Sequence, residues 1–171
     1  MYVTEYLESR RVPFKPLLHT PAFAATRRAG GMHVPGGRVA KAVLVRVGES
    51  FAIAVLASTR RIDLELLSEA AGCPPADTRL ATDRELEDVF SDCELGVVPP
   101  FGQLYGLRTF VDSDLAADGE LITSGNMRHE GVRIQYQDFE AVTAPVRASF
   151  SHAVAARQPR LKHTKPDRLA S

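Results

Sequence analysis

The chain has 171 residues, 44% hydrophobic and 25% charged, with a formal charge of zero, a size and balance that suit one globular domain around one core. No apolar run reaches the roughly 18 residues of a membrane span, and the N-terminal MYVTEYLESRR has no apolar segment of the secretory kind. Cys73 and Cys93 are the only cysteines; they make neither a disulfide framework nor a CxxC zinc motif, so a reduced, cytoplasmic protein is expected.

Val3, Tyr6 and Leu7 share one face of a helix expected over Thr4 to Arg11. Phe14 to Leu18 reads as a short extended segment. Thr20-Pro21 has the form of an N-cap followed by proline at the first helical position, and Gly30-Gly31 would end that helix. His33 to Gly37, HVPGG, is a loop. Lys41 to Val47 and Phe51 to Ala57 are β-rich runs, with Gly48-Glu49-Ser50 as a three-residue hairpin loop.

Asp63 opens an amphipathic helix that Gly72 closes, and Pro74-Pro75 blocks any continuation. Thr82 and Glu85 have the spacing of a capping box, so a helix should run to about Phe90. GVVPPFG, residues 96 to 102, is neither helix nor central strand, because two adjacent prolines remove two backbone donors. Strands are expected over Arg108 to Asp112, Glu120 to Ser124 and Val132 to Tyr136. A short helix over Asp138 to Val142 and a return to the sheet over Val146 to Phe150 follow. The implied fold is a single mixed α/β domain, with helices around a curved, largely antiparallel, barrel-like sheet. It spans residues 1–150, and residues 151–171 form a basic, flexible tail.

The zero charge hides an uneven distribution. Residues 1–46 carry net +6, residues 47–150 net −10 and residues 151–171 net +4. Phosphates are met by such basic ends, but a solvated surface has the same count, and charge alone names no partner. Of the 21 basic residues only Lys15, Lys41, Lys162 and Lys165 are lysines. Lys41 heads the apolar run AVLV, where a compact ammonium has replaced the arginine used elsewhere; a lysine snorkelling from a strand end has the same sequence.

Common catalytic patterns are missing: no G-x-S-x-G, HExxH, P-loop or GxGxxG. The five histidines have no metal-ligand spacing, and no metal or cofactor is expected. What remains is a loop, a lysine and small polar residues. A proline-stiffened turn opened by Gly96 can aim rigid N–H groups at a developing oxyanion, worth about 10²–10³ in rate per donor. It can equally be a plain connection. Ser124-Gly125-Asn126 makes a tight polar turn after a strand, and His33 lies in a Gly/Pro-rich loop upstream of Lys41.

In order, these stretches resemble the YbaK/prolyl-tRNA synthetase-associated editing domain family. They are His19-Thr20-Pro21, the HVPG loop before AKAVLVRV, FAIAVLASTRRIDLELL, RLATDRELEDVF, CELGVVPPFG and ELITSGNMRHEGVRIQYQDF. The resemblance covers about residues 1–150. Its most specific parts are Lys41 in a strand and the GxxxP loop from Gly96 to Pro100. It implies a trans-acting aminoacyl-tRNA deacylase that hydrolyses the ester of a small, wrong amino acid, without metal or covalent intermediate.

Carried over, Lys41 and Gly96 are the catalytic positions. His33, Val97, Val98, Pro99, Pro100, Phe101, Gly102, Ser124, Gly125 and Asn126 line the substrate site. Lys41 should face the loop across a small cavity. The implied partners are the 3′-aminoacyl-adenosine end of a mischarged tRNA and an aminoacyl-tRNA synthetase. The alternative is a non-catalytic module of the same fold that binds tRNA or a synthetase; a hydrolase for another small ester or amide is a third reading.

Overall fold

The computed structural model describes residues 1–18, 36–115 and 117–154. Among them are four helices: α1 (Val3–Ser9), α2 (Leu64–Ala71), α3 (Asp83–Val89) and α4 (Tyr136–Thr143). There are ten strands: β1 (Phe14–Leu18), β2 (Ala40–Val47), β3 (Ser50–Ala57), β4 (Arg60–Ile62), β5 (Thr78–Leu80), β6 (Arg108–Asp112), β7 (Glu120–Ser124), β8 (Glu130–Gln135), β9 (Val146–Ala148) and β10 (Ser151–Ala153). None of the described helices is long and apolar enough to cross a membrane.

The local signals are met by local chemistry. The Asp63 carboxylate accepts from the N–H groups of Glu65 and Leu66, capping α2, and Gly72 closes it at a φ of 67°. Thr82 and Glu85 form the reciprocal capping box of α3. Between β2 and β3, Val47 pairs with Ser50. The hairpin loop therefore has two residues, not three. Gly48, at a φ of 60°, takes the left-handed position that a two-residue turn requires.

The strands form three sheets. The largest runs β5-β2-β3-β6-β9, a second β1-β8-β7, and a third pairs β10 with β4. The architecture is mixed α/β as expected, but the sheet is not a closed barrel. In the five-stranded sheet β2 pairs antiparallel with both β3 and β5, whereas β3–β6 and β6–β9 are parallel. A parallel neighbour needs a long crossover; here residues 58–107 separate β3 from β6. A single parallel bridge, Val39 to Ile122, links this sheet to the one containing β7. The strands β4, β5 and β10 have only three residues each, too short for a sequence period to reveal. β10 carries the fold past residue 150.

Alternation along β2 and β3 separates two apolar clusters. Ala40, Leu44, Ile53, Val55 and Ala57 pack with Leu7 of α1, Phe139 of α4 and Phe101. Val45, Ala52, Ala54 and Leu56 pack with Leu67 of α2, Phe110 and Phe150. The first face carries the 96–102 loop, and the second carries the β4–β10 pair.

Candidate functional site

After α3 the chain makes two tight turns: the Cys93 N–H donates to the Phe90 oxygen, and the Val97 N–H to the Glu94 oxygen. Gly96 is the third residue of the second turn, at a φ of 80°, a conformation that costs other residues energy. Val97, Val98, Pro99, Pro100, Phe101 and Gly102 are all buried. Phe101 is fully enclosed, and its ring meets Phe139 edge-on with centroids 5.7 Å apart. Gly102 is there because nothing larger fits: a Cβ would lie 2.3 Å from Thr109 Oγ1 and 2.6 Å from the Leu107 oxygen. Apolar burial thus fixes the loop from within. Pro99 and Pro100 have no N–H, and those of Gly96 and Val98 have no hydrogen-bond partner among the described residues.

The Ser124-Gly125-Asn126 turn is bonded directly to the entrance of this loop. The Asn126 backbone oxygen accepts from the Glu94 N–H at 2.8 Å. The Arg128 N–H donates to the Glu94 carboxylate at 2.9 Å, and its guanidinium to the Leu95 oxygen at 2.6 Å. Asn126 is almost wholly buried. Its Oδ1 accepts from the Val3 N–H at 2.7 Å, and its amide nitrogen reaches the Asp92 oxygen, Cys93 Sγ and Tyr105 Oη at 3.3–3.5 Å. It ties together α1, the start of the loop and the 124–130 turn. Ser124 is buried, and a Cβ on Gly125 would press on the Glu130 side chain at 3.1 Å.

Two clefts border this unit. One, about 190 Å³, is lined by Phe90, Cys93, Glu94, Leu95, Gly96 and Val97. The other, about 220 Å³, includes Tyr2, Val3, Gly125, Asn126, Glu130 and Val132. Burial pushes the Cys93 thiol up to about 11 and raises the Tyr105 hydroxyl as well. Neither is an ionised nucleophile near neutral pH. No cluster of three His, Cys, Asp or Glu side chains among the described residues has a metal-holding arrangement.

Lys41 lies elsewhere. It is half-buried on β2, opposite Leu56 of β3, and its ammonium donates to the backbone oxygen of Arg60. Burial, and then the charge of Arg61, hold its pKa below that of a free lysine. Alternation puts its Cβ on the face of Val43 and Val45, whereas Val98 and Phe101 belong to the cluster on the other face. Of the expected site residues, the structure joins the 96–102 loop to the 124–126 turn and sets Lys41 at the sheet end on the reverse side. His33 lies outside the described residues.

Sequence reasoning missed the polar cluster beside Lys41. Asp112, at the end of β6, is fully buried; it accepts from the Phe150 N–H and the Ser151 Oγ at 2.8 Å each, and from the Asp114 N–H at 3.0 Å. Arg60 donates through Nε to Ser151 Oγ at 2.6 Å and through Nη2 to the Ser151 oxygen at 2.8 Å. Its guanidinium also lies 2.8 Å from the Asp114 carboxylate and 3.9 Å from that of Asp112. One signal was present in the sequence: an acid directly after the strand-forming run TFV.

Similar solved structures share this fold. A crystal structure of a hypothetical protein is 20% identical, with a TM-score of 0.76 over 88% of this chain and 99% of that one. A crystal structure of a candidate trans-editing enzyme for prolyl tRNA synthetase is 24% identical, with a TM-score of 0.73 over 88% of this chain and 95% of that one. None of the curated proteins matches the sequence. Residues 19–142 match the aminoacyl-tRNA editing domain, and the chain belongs to that family, the YbaK family.

Proposed function

We propose that the protein hydrolyses the ester of mischarged tRNA in trans and so removes a small, wrong amino acid from the 3′-adenosine. The observation that carries this reading is the proline-braced loop, packed from within, with the Gly96 and Val98 N–H groups unpartnered among the described residues. Rigid donors of this kind stabilise the oxyanion that forms when water attacks an ester carbonyl. Water adds to the carbonyl carbon, the bond to the ribose oxygen breaks, and that oxygen leaves with a proton. No protein nucleophile, cofactor or metal is needed for so reactive an ester.

In this reading Lys41 and Gly96 are the catalytic positions. The substrate end crosses the rim of the β2–β3 pair and meets the loop on one side and the Lys41 ammonium on the other. Val97, Val98, Pro99, Pro100, Phe101 and Gly102 shape the loop, Ser124, Gly125 and Asn126 hold its entrance, and His33 is a further pocket candidate. Small substrates follow from discrimination chemistry. One methylene is worth only about 10–200-fold in binding, so a second site that accepts the smaller wrong product is the remedy. The protein would work in the cytoplasm beside a synthetase, on the tRNA 3′ end.

The test is a deacylation panel of alanine, serine, cysteine and threonine on several tRNAs, with the wild type and Lys41→Ala. At least one ester should be cleaved, with Lys41→Ala about 10² slower. Wild-type turnover at the buffer rate throughout would overturn the reading. A second reading, a non-catalytic tRNA- or synthetase-binding module, is favoured by one observation: Lys41 leaves β2 on the face opposite the loop. It requires tRNA binding without turnover, insensitive to Lys41.

A further inference from the structure

The Lys41 ammonium rests on a backbone oxygen, that of Arg60. A carbonyl positions an ammonium only as well as the carbonyl is itself held. Here the same residue is anchored at its other end. The Arg60 guanidinium makes two hydrogen bonds to Ser151, through Oγ at 2.6 Å and the backbone oxygen at 2.8 Å. Ser151 Oγ donates in turn to the fully buried Asp112 carboxylate at 2.8 Å. The Phe150 and Asp114 N–H groups also donate to that carboxylate, and the β4–β10 register, with Arg60 opposite Ala153, closes the frame.

We propose that Asp112, Ser151 and Arg60 form a buried clamp that positions the Lys41 ammonium, and that these three are positioning residues for the proposed deacylation. The inference rests on the reading of Lys41 as the working cation. The chemistry of the cluster supports it. A buried charge is tolerated only when paired and hydrogen-bonded. Asp112 is both, yet it needs none of Lys41 for its own satisfaction. The clamp can therefore assemble without Lys41, while the lysine depends on Arg60 for its hydrogen-bond acceptor. Arg61, next along β4, is the neighbouring charge that opposes the ammonium. Arg61 pairs across strands with His152, which lies 3.9 Å from Asp63.

Ser151→Ala tests the clamp without changing any charge. The chain has only four lysines, Lys15, Lys41, Lys162 and Lys165, so carbon-13-labelled lysine resolves Lys41 by NMR. If the clamp works, Ser151→Ala lowers the Lys41 titration midpoint by about half a pH unit, because a loosened carbonyl stabilises the ammonium less. Lys15 stays where it was, and Ser151→Thr, which keeps the hydroxyl, restores the wild-type midpoint. Arg60→Lys, which keeps charge and loses the planar fork, is the second probe should Ser151→Ala not fold; it lowers the midpoint likewise.

In deacylation, Ser151→Ala reduces kcat about five- to tenfold with KM within twofold, and adds nothing to Lys41→Ala in the double variant. An unmoved Lys41 titration, or losses that multiply in the double variant, overturns the clamp. Those results leave the deacylase standing. Full turnover by Lys41→Ala overturns the role given to Lys41 in deacylation and, with it, the clamp's part in catalysis.

Discussion

The Arg128 guanidinium donates to the backbone oxygen of Leu95 at 2.6 Å, one residue ahead of Gly96. The same side chain lies 3.4 Å from the Glu94 carboxylate. The polar turn after β7 therefore sets the angle at which the proline-braced loop begins. Arg128→Ala should cost about 1 kcal/mol, because its bonds are exposed to solvent, and slow deacylation about tenfold. Urea unfolding and single-turnover kinetics on the same preparation read both. An unchanged rate in a destabilised variant would separate the turn from the chemistry.

Gly96 has a φ of 80° and open space where a Cβ would go. Gly96→Ala therefore meets backbone strain alone, about 1–2 kcal/mol. Gly96→Asn should cost less, because asparagine tolerates the left-handed region. The ordering glycine, asparagine, alanine in urea midpoints checks this; equal midpoints for Ala and Asn would contradict it.

Thr109 Oγ1 is buried and has no hydrogen-bond partner among the described residues. Thr109→Val exchanges an unsatisfied hydroxyl for a methyl of similar shape. It should stabilise the protein by about 1 kcal/mol. A lowered melting temperature would show that the hydroxyl has a partner after all.

Lys41 titrates below its ordinary value of 10.5, first through burial and then through Arg61. Between the lowered value and 10.5 the unfolded chain binds more protons at this site than the folded chain. Stability from this group therefore rises with pH across that window, and below it the full cost of the buried ammonium is present. Lys41→Met removes the titration. The stability difference between wild type and Lys41→Met should shift toward the wild type as pH rises toward 10.5, measured by urea unfolding. A difference that does not vary with pH would contradict the assigned shift.

Much of the local structure is legible in the residue order. The caps at Asp63 and Thr82, the stop at Gly72 and the strand at Phe14–Leu18 are each set within four or five residues, where sequence and geometry are nearly the same thing. GVVPPFG was legible as a rigid loop because proline removes donors wherever it sits. The Lys41 run was legible as a strand, but the face on which its side chain leaves was not, since the two faces are named only once the sheet has packed.

From residue order alone came the caps at Asp63 and Thr82, the strand at Phe14–Leu18, the paired runs around Lys41 and Phe51, and the braced loop at residues 96–102. Packing alone set the parallel pairing of β3 with β6, the bonding of Asn126 and Arg128 to that loop, and the chain of bonds from Asp112 through Ser151 to Arg60, whose backbone oxygen meets Lys41. The physical reason is range. Caps and turns are fixed by neighbours along the chain, whereas Arg60 and Ser151 are 91 positions apart. They meet because burying one carboxylate forces the chain to bring it partners from wherever they are.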